Sequence, residues 1–354
     1  MEYLSKIDPG QLSGKTCLLR VDLNIKSLKD TFKINSIIPT IKFLLSKKAR
    51  IIILSHRGRP NGFQKELSLK PIIKILSKKI GINIKFLSNP NLDINKQEIN
   101  HYSQYQIFCL ENLRFLSEEE AGDKNFSKKL ASLGDFYIND AFAVSHRKDA
   151  SIFAITKYIK SYAGPLVEKE MVGLVKATRN PRQPLVVILG GTKIDTKISI
   201  VRNLNSRTKF FLLGSSVFNE IKNPNVIKIL KNKKCLVPKD FMKKNDKYFD
   251  IGPKTIALYK KIISEANTII WNGPVGMFED KKYSRGTTEI AKAITKSKAF
   301  KVIGGGETAN FILNRKLKKN VDLLSTGGGA MLNFLAGKKM PGLIALDNKP
   351  DKIK

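Results

Sequence analysis

The residues of this chain best suited to chemistry come in short polar clusters, each directly after an apolar run. Ser55-His56-Arg57-Gly58-Arg59-Pro60 follows Ile51-Ile52-Ile53-Leu54 and sets cation-capable side chains at three of its positions. Asp22-Leu23-Asn24 follows the run 17–21, Glu111-Asn112-Leu113-Arg114 follows 107–110, and Asn139-Asp140 follows 136–138, with His146-Arg147 shortly beyond. Guanidinium forks match phosphate and carboxylate oxygens two at a time, while Gly58 and Pro60 hold a loop tight enough for its side chains to converge. Any one of these arginines alone reads as a surface salt bridge of little worth. Their recurrence after successive apolar runs reverses that reading and predicts a small, multiply charged anion.

The second half carries a different chemistry. Gly190-Gly191-Thr192-Lys193 leads to Lys197, and later come Asn272-Gly273-Pro274-Val275-Gly276, Gly304-Gly305-Gly306-Glu307-Thr308 and Ser325-Thr326-Gly327-Gly328-Gly329. Glycine lets backbone NH groups approach a phosphate at a helix N-terminus, although it also serves ordinary turns. Four such loops, two of them with Lys or Glu attached, point to a polyphosphate site with a metal. Two decoys fail. Residues 10–16, GQLSGKT, resemble a P-loop but have one residue too few between the glycines and precede a strand instead of following one. Residues 304–309 fit the loose dinucleotide pattern, yet Ser325-Thr326-Gly327 stands where a ribose-binding acid belongs and Asp322 comes too early.

Such clusters need elements to hold them. Short runs rich in Ile, Val, Leu and Phe alternate with helical patterns, which predicts an α/β fold with mainly parallel sheets covered by helices, and ligands beyond the carboxyl ends of the strands. One predicted helix covers 68–79, with Leu69, Ile72, Ile73, Leu76 and Ile80 on one face, Pro71 in the first turn and Gly81 past the end. A long amphipathic helix over 166–178, ahead of the Pro-rich 180–184, marks a boundary between two domains.

At 354 residues the chain has room for about two domains. Its formal net charge of +34 and pI near 10.0 invite a nucleic-acid reading. The lysines, however, are scattered over polar faces without interleaved aromatics, so the charge reads as a field that steers anionic substrates, with no specific nucleic-acid partner. Cys17, Cys109 and Cys235 sit in or beside apolar runs with no metal or disulfide spacing and read as buried free thiols in a reducing compartment. His101, in a polar stretch, reads as exposed. The first residues lack a secretory core and no run suits a membrane span, so a soluble, cytoplasmic protein with no membrane partner is expected.

At this point the ordered motifs resemble those of the phosphoglycerate kinases: LRVDLN (19–24), SHRGRP (55–60), LENLRF (110–115), NDAFAVSHR (139–147), AGPLVEKE (163–170), GGTKIDTK (190–197), WNGPVGMFE (271–279), GGGET (304–308) and STGGGA (325–330). The resemblance runs over nearly the whole chain. It implies two Rossmann-like domains joined by a hinge helix around an interdomain active site: 1–165 for 3-phosphoglycerate, 166–340 for nucleotide, and a tail, 341–354, packing back on the first domain. It implies reversible transfer of the ATP γ-phosphoryl group to the carboxylate of 3-phosphoglycerate, with Mg²⁺ as cofactor and a monomeric enzyme. Substrate binding would fall to Asp22, Leu23, Asn24, Lys33, His56, Arg57, Gly58, Arg59, Arg114 and Arg147. Nucleotide binding would fall to Lys193, Lys197, Asn272, Glu279, Gly305, Gly306, Glu307 and Thr308, with Glu307 near the metal. Lys33, Lys193, Gly327 and Gly328 would serve the transferring phosphoryl.

The chain departs from the family pattern at several places. Lys33 stands where the family has Arg and keeps the charge without the bidentate fork, so turnover is expected to suffer there. Glu307 replaces Asp, Ala143-Val144 replace Gly-Thr, Gly214-Ser215-Ser216 replace three glycines, Asn333 replaces Glu, and the segment onward to Val237-Pro238 is short, which bears on nucleotide affinity. Two other classes of function stand beside the kinase: an impaired descendant that binds phosphoglycerate or polyanions, and a dinucleotide-dependent oxidoreductase.

Overall fold

The computed structural model describes residues 1–191, 194–220 and 223–347. Its contacts divide the chain into two compact units, Met1–Lys169 together with the stretch from Met340, and Glu170–Lys339. The first unit holds six parallel strands: β1 (Thr16–Arg20), β2 (Arg50–Leu54), β3 (Ile84–Leu87), β4 (Ile107–Leu110), β5 (Phe136–Asn139) and β6 (Ser161–Ala163), in the order β3-β4-β2-β1-β5-β6. Helices cover both faces of the central strands, so Ile51, Ile52 and Ile53 are all buried; this is why such strands read as unbroken apolar runs and not as alternating ones. The helix Phe32–Ser46 contributes Ile34, Ile37, Ile41 and Leu44 to the core, and Lys70–Ile80 contributes Ile72, Ile73 and Leu76. Each buried side chain of this size stabilises the fold by roughly 1.5–3 kcal/mol.

The strands that precede polar clusters, β4, β2, β1 and β5, are neighbours in that order. One edge of one sheet therefore gathers Asn112 and Arg114, His56 to Arg59, Asp22 to Asn24, and Asn139-Asp140. The second unit repeats the plan with β7 (Leu185–Leu189), β8 (Phe210–Leu213), β9 (Cys235–Leu236), β12 (Thr268–Asn272), β13 (Phe300–Gly304) and β14 (Leu323–Leu324), ordered β14-β13-β12-β7-β8-β9. A separate antiparallel pair is formed by β10 (Phe241–Lys244) and β11 (Lys247–Ile251). The glycine loops follow β14, β13, β12 and β7, again a contiguous set. This is the α/β architecture of two helix-covered parallel sheets expected from the sequence.

Local chemistry moves some element ends. The helix expected from Ser68 begins at Lys70, because Glu111 takes the Ser68 hydroxyl (2.7 Å) and the Leu69 NH (2.9 Å) outside the helix. It ends as expected at Gly81, left-handed with φ 73°. The three cysteines are buried and free, and His101 is exposed. Among the described residues no helix is long and apolar enough to cross a membrane.

The boundary between the units, at Lys169 and Glu170, falls inside the helix Pro165–Thr178. Pro165 opens that helix where no donor is needed, and the orphan NH groups of Leu166 (2.7 Å) and Val167 (3.4 Å) go to the fully buried Asp140 carboxylate. Asp140 also accepts from Thr40 Oγ1 at 2.6 Å. Burial raises its carboxyl from 3.8 to about 6 against the pull of these donors. The folded chain thus binds this proton more tightly than the unfolded chain does, and the group costs native stability progressively as pH rises from about 4 to about 6. Asp140→Asn should gain on the parent by up to about 3 kcal/mol across that window in denaturant titrations; a gap that stays constant with pH would show that the carboxyl is not raised.

Candidate functional site

Beyond the first sheet, the cations are held by a set of carboxylates and carbonyls. Arg20, inside β1 and fully buried, donates Nε to Ser151 Oγ (2.8 Å), approaches Glu119 Oε1 at 3.8 Å and faces His56 Nδ1 through Nη2 at 3.1 Å. Glu119, also fully buried, accepts from the backbone NH (2.9 Å) and hydroxyl (2.5 Å) of Ser151. A guanidinium only donates, so His56 Nδ1 is the acceptor and the ring's proton sits on Nε2. Burial first, then Arg20, Arg114, Lys33 and Arg147, push the His56 pKa well below 6.5. His56 is therefore a neutral NH donor at neutral pH.

The loop after β1 is tied to its neighbours. Asp22 accepts from Asn24 N (2.9 Å) and from Lys33 Nζ (2.6 Å), Lys33 also donates to Asn24 O (3.0 Å), and Asn24 Oδ1 accepts from Gly58 N (2.9 Å). Leu23 is fully buried and donates its NH to Ser55 Oγ (3.0 Å), so its part in the site is backbone geometry. Gly58 has φ +69°, a conformation that favours glycine.

The arginines divide into two kinds. Arg57 is spent on carbonyls, donating Nη1 to Glu66 O (2.9 Å) and Ser68 O (3.2 Å), so it shapes the loop. Arg114, buried, donates Nη1 to Gly58 O (2.9 Å) and pairs with Glu120 (3.2 Å) and Asp149 (3.4 Å). Arg147 reaches the same two acids at 3.4 and 3.9 Å, with burial and then Arg114 opposing its charge. Arg59 is exposed, and among the described residues no hydrogen bond or ion pair restrains it. Arg20, Glu119, Ser151, Glu120 and Asp149 were not singled out from the sequence. Arg20 had left a signal there, a charge inside the apolar run of β1.

In the second unit the work is done by backbone. Gly190 and Gly273 lie face to face: a Cβ on Gly190 would fall on Pro274 O and one on Gly273 on Gly190 O, so no other residue fits. Fully buried Trp271 donates Nε1 to Gly273 O (2.8 Å), and Gly273 N donates to Thr308 Oγ1 (3.0 Å), fixing that hydroxyl as an acceptor. The helices Gly306–Asn314 and Gly328–Leu335 bring their N-termini together, since a Cβ on Gly328 would stand 3.1 Å from Gly305 Cα. Gly327 N is held by Ser325 Oγ (3.2 Å), and Thr326 N by Glu170 (2.7 Å). Buried Asn272 Nδ2 has no hydrogen-bond partner among the described residues. A cavity of about 270 Å³ runs from Gly191 and Ser216 past Tyr248 and Val275 to Glu279 and Glu307, both exposed acids at its rim. Ser216 Oγ donates to Gly191 O (2.8 Å), so the hydroxyl that replaces a glycine is accommodated by the loop after β7. Lys197 is buried and donates to Gly191 O, and burial lowers its pKa from 10.5 to about 8. Lys193 lies outside the described residues.

Fixed cations at one sheet edge and glycine loops meeting two helix N-termini at another are the equipment of a small-molecule phosphotransferase. The family model for phosphoglycerate kinase matches residues 7–233 and 219–338. Phosphoglycerate kinases of Dictyoglomus turgidum (38% identical, 96% of this chain and 97% of theirs) and Wolbachia pipientis (35%, 98% and 100%) are similar over nearly their full lengths. Among solved structures, that of the Coxiella burnetii phosphoglycerate kinase superimposes with a TM-score of 0.79 (30% identity, 97% of this chain and 98% of that one). The Pyrococcus horikoshii one gives 0.83 (27%, 98% of each). The chain belongs to the phosphoglycerate kinase family.

Replacing Arg20 tests the buried frame. Arg20→Met strands the Glu119 carboxylate and should lower unfolding stability by about 3–5 kcal/mol; a loss under about 1 kcal/mol would mean that Glu119 is protonated in the fold and needs no partner.

Proposed function

We propose that the chain transfers the γ-phosphoryl group of ATP reversibly to the carboxylate of 3-phosphoglycerate, giving 1,3-bisphosphoglycerate and ADP. What carries this reading, beyond family membership, is the row of cations at the first sheet's edge with Arg59 unspent and Arg147 only partly neutralised. On this reading Arg59, Arg147, Arg114 and the Nε2–H of His56 receive the acceptor's phosphate, while Arg57, Gly58, Leu23 and Asn24 hold the loops that carry them. Asp22 and Asn24 would address the acceptor's hydroxyl and carboxylate.

The nucleophile is a carboxylate, ionised at neutral pH, so no general base and no covalent intermediate are needed. The chain's task is alignment and neutralisation of charge on the moving phosphoryl. Lys33 supplies a point charge there, steadied by Asp22, where an arginine would supply a fork. Lys197, Lys193 and the NH groups of Gly305, Gly306, Gly327 and Gly328 would receive the nucleotide's phosphates, Asn272 would use its unpartnered Nδ2, and Glu279 would meet the ribose. A phosphate beside Lys197 restores the charge that burial weakens. Glu307, exposed at a helix start beside the cavity, fits a magnesium ion bound mainly through nucleotide phosphates, a site that needs only one or two protein carboxylates. Such an ion would offset negative charge on the phosphoryl in transfer. The same reading makes the chain a cytoplasmic monomer in which Pro165–Thr178 acts as the hinge.

Purified parent protein with 3-phosphoglycerate and Mg-ATP should turn over in a coupled assay, and Lys193→Ala should lose at least about a hundredfold in rate. No turnover by folded parent protein would overturn the reading.

A further inference from the structure

We propose that the first unit carries a second small-molecule site, a cavity that binds a neutral aromatic molecule with one hydrogen-bond donor and is coupled through Asn112 to the anion-binding loops. The cavity measures about 310 Å³, enough for roughly a two-ring molecule. Phe63, Leu92, Leu110, Leu113, Phe115 and Leu116 give it apolar walls. Among its polar lining groups, Asn95 is 1% exposed and donates Nδ2 to Asn89 O at 3.0 Å, which fixes the amide's orientation. Asn95 Oδ1 is left buried with no hydrogen-bond partner among the described residues. A buried acceptor without a donor is unfavourable, and a ligand hydroxyl or NH would satisfy it. The Glu111 carboxylate in the same wall is already used by Ser68 Oγ, Leu69 N and Asn112 N, and its charge disfavours an anion. At the rim, Phe63 is 70% exposed, with its ring centroid 5.0 Å from that of Phe115. A ligand would cover this face.

Coupling follows from Asn112, which lines the cavity and also braces the cation loops. Its Oδ1 accepts from Arg57 N (3.1 Å) and Arg114 N (3.2 Å), and its Nδ2 donates to Arg57 O (2.8 Å) and Leu67 O (3.1 Å). Phe63 lies on the same connection as Arg59. A molecule held against both Phe63 and Asn112 favours one arrangement of these loops, and the effect on anion affinity is reciprocal.

The test uses 2-naphthol, with 2-methoxynaphthalene as the partner lacking a donor, in equilibrium dialysis against the full chain. Saturable binding of 2-naphthol is expected, with the ether at least about tenfold weaker. Asn95→Leu should bring the two within about twofold of each other, and Leu116→Trp, which fills the cavity from a half-buried position, should abolish binding of both. Saturating 2-naphthol should change the dissociation constant of 3-phosphoglycerate by at least about threefold, an arm that rests on the acceptor reading above. The proposal fails if binding is not saturable, if discrimination survives Asn95→Leu, if Leu116→Trp binds as the parent does, or if 3-phosphoglycerate binds equally with and without 2-naphthol. Failure of 3-phosphoglycerate to bind at all would count against the acceptor reading, and the dialysis arms would still decide whether the cavity is a site.

Discussion

Everything in the first unit turns on keeping like charges together at one edge of a sheet. Lys33, His56, Arg57, Arg59, Arg114 and Arg147 all follow or face the carboxyl ends of β1, β2, β4 and β5, with Arg20 beneath them. Cations a few ångströms apart repel by several kcal/mol at the effective dielectric of a protein surface. The fold answers with graded neutralisation. Glu119 takes Arg20 in the interior, Glu120 and Asp149 take Arg114 and share Arg147, Asp22 takes Lys33, and main-chain carbonyls take Arg57. Histidine yields instead, staying neutral under the field of its neighbours. What is left over is Arg59, which makes no bond among the described residues, and the part of Arg147 that Glu120 and Asp149 do not neutralise. The chain's overall charge of +34 adds a long-range pull on anions to this local one.

The second unit solves a related problem by other means. Its loops lack a comparable cluster of arginines. Close contact between Gly190 and Gly273, and between Gly305 and Gly328, brings main-chain NH groups and two helix N-termini to one place. Dipoles of this kind favour negative charge without the repulsion that crowded side-chain cations impose. The buried Lys197 is the exception, and its lowered pKa records the cost.

The architecture was legible because parallel strands buried on both faces write themselves as unbroken Ile, Val and Leu runs, and because a ligand-binding residue must follow such a run. That logic found the Asp22, His56, Arg114 and Asp140 clusters, and the neighbouring order β4-β2-β1-β5 explains why they meet. The division of labour among the arginines was not legible. Arg57 and Arg59 are two residues apart in one motif, yet one caps carbonyls of the 66–68 turn and the other makes no bond among the described residues, a difference set by the path of a loop. Glu119 and Ser151, the acidic and hydroxyl partners of Arg20, lie more than ninety positions away along the chain, so no local pattern announces either. The helix start at Lys70 was likewise moved by Glu111, a residue from another strand end.

The most direct test of this account is titration calorimetry of 3-phosphoglycerate, without nucleotide, into the parent protein and into Arg59→Gln. Arg59 makes no bond within the described residues, so the variant should keep the parent's melting temperature while binding the ligand at least about tenfold more weakly. Equal affinity in the two proteins, or no binding by the parent, would contradict the claim that the cation row exists to hold this anion.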